Sequence, residues 1–525
     1  MWQFVIIICA FIFLLVPEKH ALHMFQQNRY ELTRFTTWLK ENKITILKNN
    51  IVVLFSFILL LVLSFVLSEA LIYILCSICL LLLAFLLIAN EKKKSYIKPL
   101  VYTGRVKRQI VVLNVLVFIL FFVLSRFSTK LLPALLLLIA YYGIWLLIYP
   151  MACLTTPIEK AVQNYYINDA KKMLQNHGNL KIVGITGSYG KTSTKNVVRA
   201  ILSQKYNTLM TPSSFNTPMG ITRTIREMLK PIHEIFVCEM GADKVGDITE
   251  LMNFVHPQVG IVTSIGPQHL QTFKTQDNIT HEKMQMIEML PKDGVGILNY
   301  DNDFIRNYKV KNPVKIITYG IQNENVDYRA VDIQYHPTGS SFTVIHQNER
   351  IELTTKLLGE LNILNILSAI ACARNYGISW NVIEKSVKEM KQVEHRLELK
   401  KINGYTFIDD AFNANPSGAH MAVTVLGNMP NHRYIVTPGM IDLGERQSEI
   451  NYQFGKDMIG NVDFVILVGK EQTAPIYKGL TENGYPENQL LVVNHVREAF
   501  TYIYSHASTS DTILLENDLP DAFSK

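Results

Sequence analysis

The spread of apolar residues over the first 150 positions constrains this chain more than any other feature. Five apolar runs, 4–16, 51–67, 70–89, 110–124 and 131–149, stand in a chain of 525 residues. A helix needs about 20 consecutive apolar residues to cross a bilayer. The third and fifth runs reach that length, and all five lack the polar face of a water-soluble helix. The first run opens Met1-Trp2-Gln3, with no basic residue and no small-residue cleavage site behind it. It therefore reads as a retained anchor and not as a signal peptide. The expectation is a transmembrane region of about five helices over 1–150, then a mixed-polar helical connector over 151–180.

Charge gives this region an orientation. Much of the formal net charge of +7 lies beside the apolar runs, in 91–109 (EKKKSYIKPLVYTGRVKRQ) and in Lys19, Arg29, Arg34, Lys40, Lys43 and Lys48. Basic loops stay on the cytoplasmic side. The amino terminus and the turns at 68–69 and 125–130 are then outside, and everything after Pro150 is in the cytoplasm. Charge placed this way points to membrane topology and away from nucleic acid. The six cysteines show no disulfide spacing, and Cys76 and Cys79 lie inside an apolar run, where they read as packing residues.

Past residue 180 the pattern changes to buried strands alternating with helices, an α/β arrangement around a mostly parallel sheet. KIVGITG enters the loop GITGSYGKTST at 184–194, and KTSTKNVVRAILSQ leaves it as a helix. Gly187 and Gly190 let backbone N–H groups turn inward around phosphate oxygens, and the helix adds its positive end. Lys191 would neutralise phosphate charge, the Thr192 hydroxyl would reach Mg²⁺, and Ser188 and Ser193 fall among the nucleotide contacts. Glu239 closes IFVCEMG and His269 follows VGIVTSIGPQ. In an open parallel sheet the ligand crevice lies at the carboxyl ends of the strands, so a carboxylate and an imidazole there suit Mg²⁺. Residues 326–358 read as antiparallel strands, NILNILSAIACARNYG as a helix stopped at Gly377, and YTFIDDA, HRYIVTPG, DFVILVG, QLLVVN and DTILLEN as the strands of a second, Rossmann-like domain.

TGSYGKTS, EMGA, HLQTF, LNYDN, NILNILSA and DDAFNANP occur in the order, and near the spacing, found in the Mur ligases. These enzymes use ATP to join an amino acid or peptide to a cell-wall precursor. IDDAFNANPSG and GMIDLGE are most similar to the branch that adds D-alanyl-D-alanine. The resemblance covers about 180–525 and implies a central ATP-binding domain over 181–395 and a C-terminal ligase domain over 396–525.

It also implies roles for particular residues. Lys191 and Thr192 would grip the ATP phosphates and one Mg²⁺, while Glu239 and His269 would bind magnesium. Asn299 would contact adenine, and Asn362 and Asn365 would border the nucleotide. Arg396, Asp410 and Asn413 would approach ATP from the C-terminal domain, and Asn216 would lie near the acceptor. Lys283 would be a carbamylated metal ligand. The resemblance thus implies a membrane-anchored ligase with ATP and Mg²⁺, a carboxylate acceptor and an amine as partners, alongside other enzymes of envelope synthesis.

Three departures set limits. The usual uridine-diphosphate-binding domain is replaced by the apolar runs and connector, Leu361 stands where the family often has His, and LLENDLPDAF replaces a Lys-Gly-Ser-like ending. The acceptor could accordingly be lipid-linked. A transporter gated by ATP is the rival from another class. The runs offer little polar lining for a pathway, Asn114 apart. A catalytically dead scaffold is opposed by the intact Lys191, Thr192, Glu239, His269 and Lys283.

Overall fold

A computed structural model of the chain describes residues 2–517 apart from 49–50, 95, 97, 128–130, 269, 337–338, 393–394, 396, 412–415 and 442. Two compact units are present, one running to Asn164 and the other starting at Tyr165.

The described residues of the first unit form helices: Trp2–Gln27, Leu32–Lys48, Ile51–Val66, Glu69–Glu91, Gly104–Phe127, and Leu132–Leu138 continuing through a π-helical turn at Ile139–Gly143 into Ile144–Asn176, a helix that runs on past the end of the unit. Its core is apolar and aromatic, with Phe13, Phe25, Phe35, Tyr73 and Phe121 fully enclosed. Many large apolar side chains also face outward, among them Phe55, Phe65, Leu82, Phe85 and Phe118. Large exposed apolar surface marks a face for contact with a membrane or another protein. Among the described residues, four helices are long and apolar enough to cross a membrane. The expected second span falls short by itself, because Ile51–Val66 has only 16 residues; it qualifies only when joined to the bent, more polar helix before it. The first helix is longer than its apolar run. It carries Glu18, held by Asn114 Nδ2 at 2.7 Å, and Lys19, paired with Glu91 at 2.7 Å. These partners allow polar residues to continue a helix beyond the apolar stretch. Cys76 is buried and Cys79 partly so, both as free thiols.

The second unit contains two sheets. The strands of the first are β1 (Lys181–Thr186), β2 (Thr208–Met210), β3 (Ile235–Glu239), β4 (Val259–Val262), β5 (Val295–Asn299), β6 (Lys315–Gly320), β7 (Tyr328–His336), β8 (Gly339–His346) and β9 (Glu349–Thr355). Their spatial order is β2-β3-β1-β4-β5-β6-β7-β8-β9. Pairing is parallel as far as β7 and antiparallel across β7, β8 and β9. β1 therefore lies inside the sheet, between β3 and β4, and both its faces are covered: Val183 and Ile185 pack with Val198 and Ile201, while Ile182 packs with Phe236 and Met286. Strands enclosed on both sides read as continuous apolar runs, which is why they stand out in the sequence.

The second sheet has β10 (Glu398–Ile402), β11 (Tyr405–Asp410), β12 (Arg433–Thr437), β13 (Phe464–Val468), β14 (Leu490–Val493) and β15 (Thr512–Glu516) in the order β10-β11-β15-β12-β13-β14. Only β10 is antiparallel to its neighbour. It is the strand missing from the expected five. Its sequence, ELKKI, is too charged to read as buried, as suits an edge.

Candidate active site

The loop after β1 is shaped by two glycines. Gly187 has φ +152° and Gly190 φ +82°, and Gly190 caps the helix Lys191–Leu202 in the left-handed region. A side chain at Gly187 would run into Thr263, and one at Gly190 would lie 3.0 Å from Asn365 Oδ1. The loop is also held from outside. Ser188 N donates to Ser264 O at 2.7 Å, Gly266 N to Ser188 Oγ at 3.0 Å, and Tyr189 N to Ser264 Oγ at 3.1 Å. The segment after β4 thus fixes the phosphate loop, a task local sequence did not reveal. Lys191 folds back over the loop, its Nζ donating to Gly187 O at 2.7 Å and Ser188 O at 3.0 Å.

Glu239, at the end of β3, is the hub of the site. Its Oε1 accepts from Thr192 Oγ1 at 3.2 Å and from Asn216 Nδ2 at 2.9 Å. Its Oε2 is paired with Lys195 Nζ at 2.9 Å, and Lys195 also donates to Ser213 O. Parallel pairing of β1 with β3 sets the carboxylate beside the loop, with Ile185 opposite Glu239 in register. Thr192, Glu239 and Asn216, far apart in sequence, converge here. Lys195 was not expected; its one signal is its place four residues after Lys191, on the same helical face.

Lys283 comes to the same strand end. It lies in the helix Gln276–Glu288 and is only 1 % exposed, and its Nζ donates to Ala242 O at 3.2 Å, three residues beyond Glu239. Burial and the nearby Lys191 charge push its ammonium well below the usual lysine range, only partly offset by Glu282 and Asp247. Glu282 is occupied in holding Gly246 N and Ile248 N, at 2.8 and 2.6 Å. Burial raises Asp247, against the opposing effects of Lys244 and Lys283. Burial thus favours the unprotonated amine, the form of a lysine that reacts with CO₂.

Other expected residues are placed as supports. Thr194 Oγ1 donates to Asn365 Oδ1 at 2.9 Å, Asn365 Nδ2 to Asn362 Oδ1 at 3.4 Å, and Asn362 Nδ2 to Leu358 O at 2.8 Å. Asn299 Nδ2 donates to Thr263 O at 2.9 Å, and its Oδ1 accepts from Asp301 N at 3.1 Å. Ser193 is buried in the first turn of the loop helix. Asp410 closes β11 and accepts from Leu397 N at 3.1 Å. His269, Arg396 and Asn413 lie outside the described residues. Among the described residues no group of three or more His, Cys, Asp or Glu is arranged to hold a metal. The Thr192 hydroxyl and Glu239 carboxylate are nonetheless hard oxygen donors of the kind Mg²⁺ takes.

Comparison with known proteins agrees with this geometry. The pattern described as Mur ligase middle domain matches residues 185–373, and that described as Mur ligase, glutamate ligase domain matches 395–516. The UDP-N-acetylmuramoyl-tripeptide–D-alanyl-D-alanine ligase of Escherichia coli (strain K12) is 30 % identical over 297 residues, which are 56 % of this chain and 66 % of that protein. The enzyme of the same name from Bacillus subtilis (strain 168) is 29 % identical over 66 % of this chain and 75 % of its own length. The chain thus spans about two thirds to three quarters of these relatives. The crystal structure of MurF from Acinetobacter baumannii superposes with a TM-score of 0.62 at 25 % identity, covering 68 % of this chain and 77 % of that one. The phosphate loop at the end of β1, the carboxylate at the end of β3, the two sheets and both matched domains lead to one conclusion: this chain belongs to the Mur ligases, a family of ATP-dependent ligases.

Proposed function

We propose that the protein is a membrane-held, ATP- and Mg²⁺-dependent amide ligase that converts a carboxylate to an acyl phosphate and joins it to an amine during synthesis of a cell-wall peptidoglycan precursor. The observation that carries this reading is the meeting of Thr192, Glu239 and Asn216 beside the phosphate loop, with Lys283 buried at the same strand end. An acceptor carboxylate and a γ-phosphate repel each other, so the site must supply positive charge where they meet. Lys191 does this on release from its own loop carbonyls, and the loop N–H groups not already given to Ser264 would orient the phosphates. Mg²⁺, when bound, adds charge neutralisation and a template for the phosphate oxygens. Thr192 and Glu239 would hold one ion, with His269; carbamylated Lys283 would hold a second. Asn216, in the loop before the helix Pro218–Met228 and bonded to Glu239 Oε1, would lie near the acceptor.

The outward apolar surface of the first unit and its four long apolar helices support anchoring in the bacterial cell membrane, the amino terminus outside and the ligase unit in the cytoplasm. The same unit, standing ahead of the middle domain, favours a second reading in which the acceptor is lipid-linked and is met at the membrane. Phosphate release by the purified full-length protein, screened against UDP-linked and lipid-linked acceptors with D-alanyl-D-alanine or single amino acids as amines, tests both. Release that depends on an acceptor and an amine together supports ligation. ATP hydrolysis indifferent to every pair would refute it.

A further inference from the structure

Lys195 stands in an unusual position for a charged side chain. It is 0 % exposed, one helical turn below Lys191, and its ammonium is held between Glu239 Oε2 at 2.9 Å and the carbonyl of Ser213. Glu239 is itself 1 % exposed, and its other oxygen is shared by Thr192 and Asn216. A surface lysine could swing away when another cation arrives. This one has no solvent to move into, and its stem is packed in the helix Lys191–Leu202.

We propose that Lys195 is the resident counter-ion of the metal carboxylate and makes metal binding conditional on nucleotide. The inference rests on the reading of Thr192 and Glu239 as a Mg²⁺ site. A dication approaching the empty site meets a carboxylate already paired with an ammonium, so it gains little attraction and faces a like charge a few ångströms behind. A nucleotide in the loop adds phosphate charge on the open side and tips the balance. Lys195 also fixes which oxygen is offered: with Oε2 tied, Oε1 is the one turned toward Thr192 and the loop. Its hold on Ser213 links this arrangement to the segment that carries Asn216. Lys195 touches no reacting atom and acts as a positioning residue.

The test uses full-length protein in detergent, with Mn²⁺ as the spectroscopic probe and ADP as the nucleotide. In the wild type, Mn²⁺ alone should bind weakly, and ADP should tighten it on the order of tenfold or more. In K195M and K195Q, Mn²⁺ without nucleotide should bind on the order of tenfold more tightly than in the wild type, with K195R staying close to the wild type. K195Q keeps a donor for Glu239 and Ser213, which guards against simple misfolding. E239Q should abolish the gain if the ion sits at this carboxylate. The proposal is overturned if the folded neutral variants bind free Mn²⁺ no more tightly than the wild type, or if wild-type Mn²⁺ binding is indifferent to ADP. A wild type that binds neither ADP nor Mn²⁺·ADP would instead defeat the ligase reading on which the inference stands.

Discussion

Thr194 Oγ1 donates a hydrogen bond to Asn365 Oδ1 over 2.9 Å, although the two residues are 171 positions apart. Both are buried, one in the helix that leaves the phosphate loop and the other in the helix Glu360–Asn375. The bond joins the turn after β1 to the body of the middle domain, and the same Asn365 oxygen faces Gly190.

Asn365→Ala should therefore weaken more than its own helix. It leaves the Thr194 hydroxyl enclosed without its acceptor, a loss of about 1–3 kcal/mol. Chemical denaturation should show that loss, and ADP titration should show weaker binding. Unchanged nucleotide affinity in a destabilised variant would mean that the bond supports the fold alone.

Lys283→Met should raise stability while lowering ligation. The folded lysine is depressed by burial and by Lys191, so as pH falls below its ordinary 10.5 the unfolded chain takes up a proton that the folded chain resists. That difference destabilises the fold at neutral pH and vanishes above the unfolded value. In CO₂-free buffer the variant should melt higher than the wild type at pH 7, with the gap narrowing toward pH 10.5. Ligation should fall by ~10–100-fold with ADP binding largely kept, as for a lost metal-supporting group. ¹³C-labelled bicarbonate should give a carbamate signal in the wild type and none in the variant.

Asp409 anchors the edge of the second sheet, its Oδ2 receiving Lys400 Nζ at 2.7 Å and lying 2.7 Å from His395 Nδ1. Burial alone would raise its carboxyl, but Lys400, the Ala411 N–H and His395 outweigh that and hold it below the ordinary 3.8. A carboxylate with a depressed folded value stabilises the fold above the unfolded value and loses that contribution as pH falls through the folded one. Asp409→Asn should thus cost about 0.5–1 kcal/mol at pH 6 and progressively less as pH falls below the ordinary 3.8, read from urea midpoints across that range.

Orientation in the membrane can be read with reporters at Tyr102 and after the C-terminal residue. The basic stretch around Tyr102 should keep it in the cytoplasm, with the ligase unit on the same side. Cytoplasmic signal is expected at both positions. Export at either would overturn the orientation.

Sequence alone settled those features that arise from neighbours along the chain. GITGSYGKTST is legible as a glycine turn between a strand and a helix because glycine spacing and the strand-to-helix change are local, and β1, β3, β4 and β5 stand out because enclosed strands are apolar throughout. The apolar runs of the first unit are legible for the same reason, although their helical limits are not. The helix Trp2–Gln27 passes beyond its run because Asn114 and Glu91, distant in sequence, satisfy Glu18 and Lys19. Three strands escaped notice: β2 is only three residues long, β6 is partly exposed, and β10 is charged, so each depends on a neighbouring strand for its pairing. Only the tertiary structure set β1 between β3 and β4, brought Thr192, Lys195 and Asn216 to one carboxylate, and buried Lys283. The reason is physical: strand order, and the enclosure that pairs one lysine with a carboxylate and disfavours the charge of another, are set by contacts between segments that sequence spacing does not encode.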